Sequence, residues 1–280
     1  MLAYISMSPL SSKKFIGFPP GLLLDRPLRV PVITEAKEWI ALDKSAGIAI
    51  RQHPWNCGRL DMDAALNKQL QERKPELIES GATLFGSVYN IDPEISGVAL
   101  FAKRRDSLSE LRNLVGSEKL QFKFLLVAKL DKAMATDEFV ANAPLLIHNT
   151  KPKMIPSTAK GKKARTHFRQ IQQSPLGWSL WEACTQFPRL HQIRAHAAVE
   201  GIAVLGDSLY AGPDVPLLSE LMPRKRTTEI CKPIFDGIVL HLSEVLLPTL
   251  KDNLEAITLS AAVPKHFKLL LKRLQLEYPK

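Results

Sequence analysis

The chain has 280 residues, of which 45% are apolar and 24% charged, and a formal net charge of +10. That length fills one large core or two small ones, and the composition excludes global disorder. The longest apolar runs, "GVALFA" and "GIAVLG", are too short to cross a bilayer, and three scattered cysteines with no CxxC argue against a disulfide framework or a zinc ribbon. In "MLAYISMSPLSSKK" the lysines follow the weakly apolar piece, the wrong order for a secretory signal, so a soluble, cytoplasmic protein is expected.

In chain order, residues 1–30 are rich in Pro and Gly and predict an irregular leader, with one domain over 31–280. "EWIALDKSAGIAI" predicts a strand, a turn and more strand. "DMDAALNKQLQERKPELIE" predicts a helix capped by Asp61 or Asp63, with Leu66 and Leu70 on one face. "ATLFGSVYNID" and "SGVALFAK" read as strands joined by a turn that carries Asp92. "RDSLSELRNLVGSE" predicts a helix capped by Asp106 or Ser107 and stopped by Gly116, with a Leu108, Leu111, Leu114/Val115 stripe.

"LQFKFLLVAKL", "THFRQIQQ", "WSLWEACTQF" and "GIVLHLSEVLL" predict further strands. "LHQIRAHAAVEG" predicts a helix ended by Gly201. "VPKHFKLLLKRLQLEY" predicts a last helix with Pro264 in its first turn and Phe267, Leu270/Leu271 and Leu274 inward. Strands and helices mingle without regular βα alternation, which predicts an α+β fold with a mainly antiparallel sheet.

Positive charge is concentrated. Lys151, Lys153, Lys160, Lys162, Lys163, Arg165 and Arg169 follow one another with no acid between them, and "AKRR" (102–105) and "PRKR" (223–226) add more. Such runs suit a polyanionic partner, or else simply keep loops solvated. The longest run lies just before "PRLHQIRAHAAVEGIAVLGDSLYAG", where Arg189, His191, Gln192 and Arg194 crowd against small apolar residues. A buried Arg requires a partner, and donors on the first turns of a helix favour an anion. Asp92 is the candidate partner, although an Asp in a turn can also serve only its own backbone. A second Asp-rich piece, "GRLDMDAAL" (58–66), opens a helix, where capping explains it. His191 and His196 are poorly spaced for one helix face and need a third ligand, so a metal site has little support.

Together these stretches resemble the RluA-type family of pseudouridine synthases. The family segment R-L-D-x-x-T-S-G corresponds to Asn90-Ile91-Asp92-Pro93-Glu94-Ile95-Ser96-Gly97, followed by "VALFAK". The segment T-G-R-T-H-Q-I-R-x-H corresponds to residues 187–196, and G-D-x-x-Y-G to Gly206-Asp207-Ser208-Leu209-Tyr210, with Gly212 one place late. "ALDKSAGIAI", "GKKARTHF" and "VLHL" are weaker matches in the right order, so the resemblance spans about 35–275.

The resemblance implies a mixed, largely antiparallel sheet in two halves flanking a central catalytic cleft. It implies isomerisation of a uridine in rRNA or tRNA, with no metal or cofactor, by a cytoplasmic enzyme expected to be a monomer. It assigns Asp92 as the essential nucleophile or base, Arg194 as its ion-pair partner and Phe124 as the ring stacked on the target base. Substrate contacts are expected from Asn90, Arg189, His191, Gln192, Lys162 and Lys163. The chain departs from the family pattern at Asn90, where the family has Arg, at Ile95, at Phe187-Pro188 and at Leu190, and it has Phe124 where the family has Tyr. Those losses leave a second expectation open: an RNA-binding protein of the same fold with weak or no catalysis.

Overall fold

The computed structural model describes residues 14–52, 54–55, 60–130, 136–221, 233–249 and 255–278. The "PRKR" run (223–226) lies outside the described residues. Strands β1 (Phe15–Phe18) and β2 (Leu28–Glu35) pair antiparallel. The described part of the expected irregular leader therefore belongs to the sheet. Its Ile16, Phe18, Leu22, Leu23 and Leu28 are buried in the main core, and that apolar burial outweighs the local Pro and Gly content.

After β3 (Trp39–Lys44) the expected second strand segment does not form. Residues 48–50 instead satisfy the start of α1 (Met62–Gln71): Met62 N–H donates to the Ala49 carbonyl and Asp63 N–H to that of Ile50, both at 2.9 Å. Asp61 caps this helix through Ala64 N–H at 2.8 Å, as capping predicts for this Asp-rich piece. The single helix expected over 61–79 breaks at Arg73, which has φ 57°, and Pro75 opens a separate α2 (Pro75–Glu79).

The strand-like run at 82–92 contributes only β4 (Gly86–Ser87), which pairs with β5 (Ser96–Ala102). In α3 (Arg105–Gly116) Arg104 holds the cap position without a side-chain bond. Ser107 turns its hydroxyl back to the Arg104 carbonyl instead of capping, while Leu111 and Val115 face inward.

The remaining elements are β6 (Gln121–Lys129), β7 (Glu138–Ala141), the hairpin β8 (Leu145–Ile147) and β9 (Met154–Pro156), β10 (Thr166–Gln173), β11 (Trp178–Thr185), α4 (Gln192–Val199), α5 (Leu218–Leu221), β12 (Leu240–Leu247), β13 (Ile257–Ser260) and α6 (Lys265–Arg273). Pro264 occupies the cap of α6, one place before the first turn.

Among the described residues the main sheet runs β1-β2-β3-β5-β12-β6-β11-β10-β7, with β13 paired to β12 and β4 to β5. Every pairing is antiparallel except β5 with β12, which is parallel at Ser96–His241 and Gly97–Leu242. The α+β class and mainly antiparallel sheet predicted from the sequence are thus observed. The parallel seam joins an N-terminal half, β1-β2-β3-β5, to a C-terminal half, β12-β6-β11-β10-β7.

Packing at the seam is close. Gly97 sits at φ 128°, and a Cβ there would lie 2.1 Å from the Leu242 carbonyl oxygen, so only Gly fits. Strand β6 is covered on both faces, which explains its unbroken apolar run. Phe122, Phe124, Leu126 and Ala128 enter the main core, while Leu125 and Val127 pack with Phe267, Leu270, Leu271 and Leu274 in and beside α6.

Candidate active site

Asp92 lies within the loop between β4 and β5. The loop is pinned from several sides: Ile91 and Ile95 are buried, and Ile95 N–H donates to the Asp92 carbonyl at 3.1 Å. Beneath it lies Lys44, fully buried at the end of β3. Its ammonium donates to the carbonyls of Ile48 (2.7 Å), Pro93 (3.0 Å) and Ser45 (3.1 Å). Burial pulls the Lys44 pKa down to about 7, against the pull of Glu94 and Asp92. Gly47 N–H donates to the same Pro93 carbonyl at 2.8 Å.

The opposing side is the start of α4. His191 holds its cap position in a left-handed conformation, φ 50°, which aims its N–H at Asp92 Oδ1 at 3.1 Å. The His191 Nε2 is 3.9 Å from Asp92 Oδ2. Tyr210 fixes the other ring nitrogen: its hydroxyl accepts from Met154 N–H at 2.7 Å and lies 3.0 Å from His191 Nδ1. With the hydroxyl proton given to Nδ1, the His191 proton sits on Nε2, towards Asp92.

Arg194, 3% exposed, makes its principal bonds elsewhere. Its Nε and Nη2 donate to Asp207 Oδ2 and Oδ1 at 2.6 and 2.9 Å. Only Nη1 faces Asp92, 3.5 Å from Oδ2, and it lies 3.7 Å from Glu94. Neither Nη1 nor Asp92 Oδ2 has a hydrogen-bond partner among the described residues. The expected Arg194–Asp92 ion pair is therefore present, but Asp207 is the residue that orients the guanidinium. Burial pushes the Asp92 pKa up to about 6, even though Arg194 and the His191 N–H pull it down. The carboxylate is ionised at neutral pH and poorly solvated, and one of its oxygens is unspent.

Asp92 opens onto a cavity of about 600 Å³. Its wall includes Tyr89, Asn90, Phe187 and Leu190, and the cations Arg51, Arg112, Lys160, Lys162 and Arg189. Asn90 lines it, and its buried Oδ1 has no hydrogen-bond partner among the described residues.

Several expected contacts change in the structure. Phe124 is 1% exposed in the main core and is not on the cavity wall. It shares its strand face with Phe122, whose ring packs edge-on against Tyr89 at 4.7 Å. The aromatic rings that do reach the wall are Tyr89 and Phe187. Gln192 is consumed by the fold. Its amide nitrogen lies within 3.1 Å of the Arg165 carbonyl and the Thr166 and Thr185 hydroxyls, and its Oε1 accepts from Arg189 N–H. His191 is buried against Asp92 rather than offered to a phosphate. Lys162 and Arg189 line the cavity, and Lys163 does not. His196 bonds Thr166 and the Ala143 carbonyl, away from His191. No group of His, Cys, Asp and Glu side chains among the described residues is arranged to hold a metal.

The sequence reading missed Lys44, Tyr89, Arg51 and Arg112, and gave Asp207 and Tyr210 no part in the isomerase site. Lys44, Asp207 and Tyr210 stand inside the quoted motifs, so their position was available although their partners were not.

The fold matches two solved structures. Human RNA Pseudouridylate Synthase Domain Containing 4 superposes with a TM-score of 0.67 at 19% identity, covering 89% of this chain and 94% of that one. Human RNA Pseudouridylate Synthase Domain Containing 1 gives 0.57 at 16% identity, covering 92% and 87%. These likenesses define a pseudouridine synthase fold. The family model described as RNA pseudouridylate synthase matches residues 38–199, and the chain belongs to that family.

Among curated relatives, ribosomal large subunit pseudouridine synthase D of Nitrosomonas europaea is 27% identical over 64% of this chain and 49% of the relative. The corresponding synthase C of Vibrio vulnificus is 28% identical over 64% and 52%. The chain thus spans about half the length of these relatives. Among the described residues no helix is long and apolar enough to cross a membrane.

Proposed function

We propose that the protein is an RNA pseudouridine synthase that isomerises a uridine of ribosomal or transfer RNA. The observation that carries this reading is Asp92: a buried carboxylate with one unspent oxygen, held between the His191 N–H and Arg194 at the floor of a cation-rimmed cavity.

In this reading the target uridine leaves its stack and enters the cavity, at a cost of roughly a few kcal/mol offset by backbone contacts to the rim. Asp92 acts at the ribose as nucleophile or base, and the bond from C1′ to the base N1 breaks. The base turns, C5 bonds to C1′, the proton leaves C5 and N1 gains one. Atoms balance without a co-reactant, so no cofactor or metal is called for. Arg194 and the His191 N–H keep Asp92 ionised and aimed. Lys162 and Arg189 meet phosphates, and Asn90 contacts the nucleotide through its open Oδ1. Tyr89 and Phe187 supply apolar and aromatic surface for the base. The enzyme works as a monomer in the cytoplasm, with a catalytic domain that takes in β1 and β2 as well as residues 31–280.

The test is tritium release from RNA labelled at C5 of uridine, using total RNA from cells that lack the gene. Release by the wild-type protein and none by Asp92→Asn is the expected result. Tight RNA binding with no release from any fraction would overturn the enzymatic reading in favour of a non-catalytic RNA-binding member of the family.

A further inference from the structure

The cations on the cavity wall are not equivalent. Lys160, Lys162 and Arg189 come from the C-terminal half, Arg51 and Arg112 from the N-terminal half beside Tyr89 and Asn90. Arg189 is tethered through one donor, its Nε to the Lys163 carbonyl at 2.7 Å, and its guanidinium lies 4.7 Å from the Phe187 ring. Arg112 is anchored at one edge only. Its Nε and Nη2 both donate to the Ser87 carbonyl, at 3.1 and 2.9 Å. Ser87 is itself fixed, because its N–H and hydroxyl donate to Asp63 at 2.7 and 2.8 Å. Arg51 is half-buried and makes no hydrogen bond or ion pair with any described residue.

Two guanidinium groups thus share one patch of cavity wall. Burial weakens Arg51's hold on its proton, and the like charge of Arg112 adds to that, with Asp63 opposing. Asp63 is already committed to Ser87, and burial also disfavours its ionised form. Paired cations with so little counter-charge are unfavourable until an anion joins them. A phosphate suits the gap, since guanidinium N–H groups grip its oxygens in a fixed fork.

We infer that Arg51 and Arg112 form a separate anion subsite that takes one backbone phosphate of the substrate strand, on the side where Asn90 brings no charge. The inference builds on the RNA reading above. It predicts that the strand is gripped from both halves of the protein, with Arg51 and Arg112 on one flank and Lys162 on the other.

The experiment measures binding of a labelled, uridine-containing oligoribonucleotide across a salt series. It uses Arg51→Gln, Arg51→Lys and Arg112→Gln, with Lys272→Gln as a remote surface control. Arg51→Gln removes no bond of the fold, so folding is not at risk. Its affinity should fall about tenfold, the scale of one charged hydrogen bond. Its slope of log affinity against log salt should shrink by about 0.7, the single-strand value for one phosphate. Arg51→Lys should recover most of the slope, and Lys272→Gln should leave it unaltered. In tritium release the loss should appear in KM more than in kcat.

An unchanged slope in both Arg51→Gln and Arg112→Gln overturns the subsite, as does an equal loss in Lys272→Gln, which would mean a diffuse field. A wild-type protein that binds RNA and shows these slopes but releases no tritium keeps the subsite and removes only the isomerase reading. A wild-type protein that binds no RNA overturns both.

Discussion

Arg194 gives two hydrogen bonds to Asp207 and none to Asp92, which it faces with Nη1 alone at 3.5 Å. The guanidinium is therefore a fixed electrostatic wall beside Asp92. One oxygen of that carboxylate is left free to react, whereas a bidentate grip would have occupied both.

This arrangement predicts the response to pH. Asp92 must be ionised to act, so tritium release should fall as pH drops through about 6. The rate profile over the acid range, fitted to one ionisation, checks it. A midpoint near the ordinary carboxylate value of about 4 would show that burial does not govern the group.

The same shift has a stability sign. The folded-state pKa of Asp92, about 6, lies above the unfolded value of about 3.9, so between these two values the native state binds more protons and loses stability as pH rises. Above pH 6 the whole cost is present. Asp92→Asn should therefore abolish activity while raising stability at pH 7.5 by about 3 kcal/mol, at about 1.4 kcal/mol per pKa unit. That gain should fade as pH falls from 6 towards 4. Urea unfolding of both proteins at several pH values measures it.

Asp207→Asn breaks a bidentate pair in which both side chains are nearly inaccessible to solvent. It should cost about 3 kcal/mol of stability, because a buried guanidinium loses its counter-ion. Once Arg194 is released, Asp92 should lose part of its electrostatic support. The acid limb of activity should then move to higher pH. A profile that keeps its midpoint while kcat falls would mean Asp207 only holds the fold together.

Gln192→Ala should act on stability, since three acceptors and the Arg189 N–H lose a common partner. A loss of about 2 kcal/mol is expected, with the salt dependence of RNA binding unchanged. Thermal unfolding and a binding titration separate the two effects.

Lys162 and Lys163 are adjacent in sequence but differ in placement, because only Lys162 lines the cavity. Lys162→Gln should reduce the salt slope of RNA binding by about 0.7, and Lys163→Gln should leave it nearly unchanged. Equal effects would show that the basic run acts as diffuse charge.

The pattern of residue types disclosed the fold class and the meeting of Asp92 with the start of α4, because both rest on local motifs whose spacing is visible. It did not disclose which face of β6 carries Phe124. That strand is apolar on both faces, so alternation gives no direction. It also misassigned Gln192, since a glutamine that closes a buried knot and one that reaches for a ligand look alike in one dimension. Arg51 and Arg112 were hidden for a further reason: they lie far apart along the chain and reach the same cavity wall only in the folded protein. The strand β1 was missed because Pro and Gly dominate its surroundings, while its own alternating Ile16 and Phe18 are too short a signal.

Strand β12 sits in the middle of the sheet, between β5 and β6, yet it is among the last elements along the chain. The seam that sets Asp92 against α4 can close only when residues 240–247 arrive. During synthesis a growing chain would carry both the carboxylate and its arginine long before they are locked together, with the sheet missing its central plank. Long-range closure of this kind is slow. A chain that ends before β12 thus carries Asp92, Arg194 and Asp207 but lacks the strand that joins the two halves of the sheet.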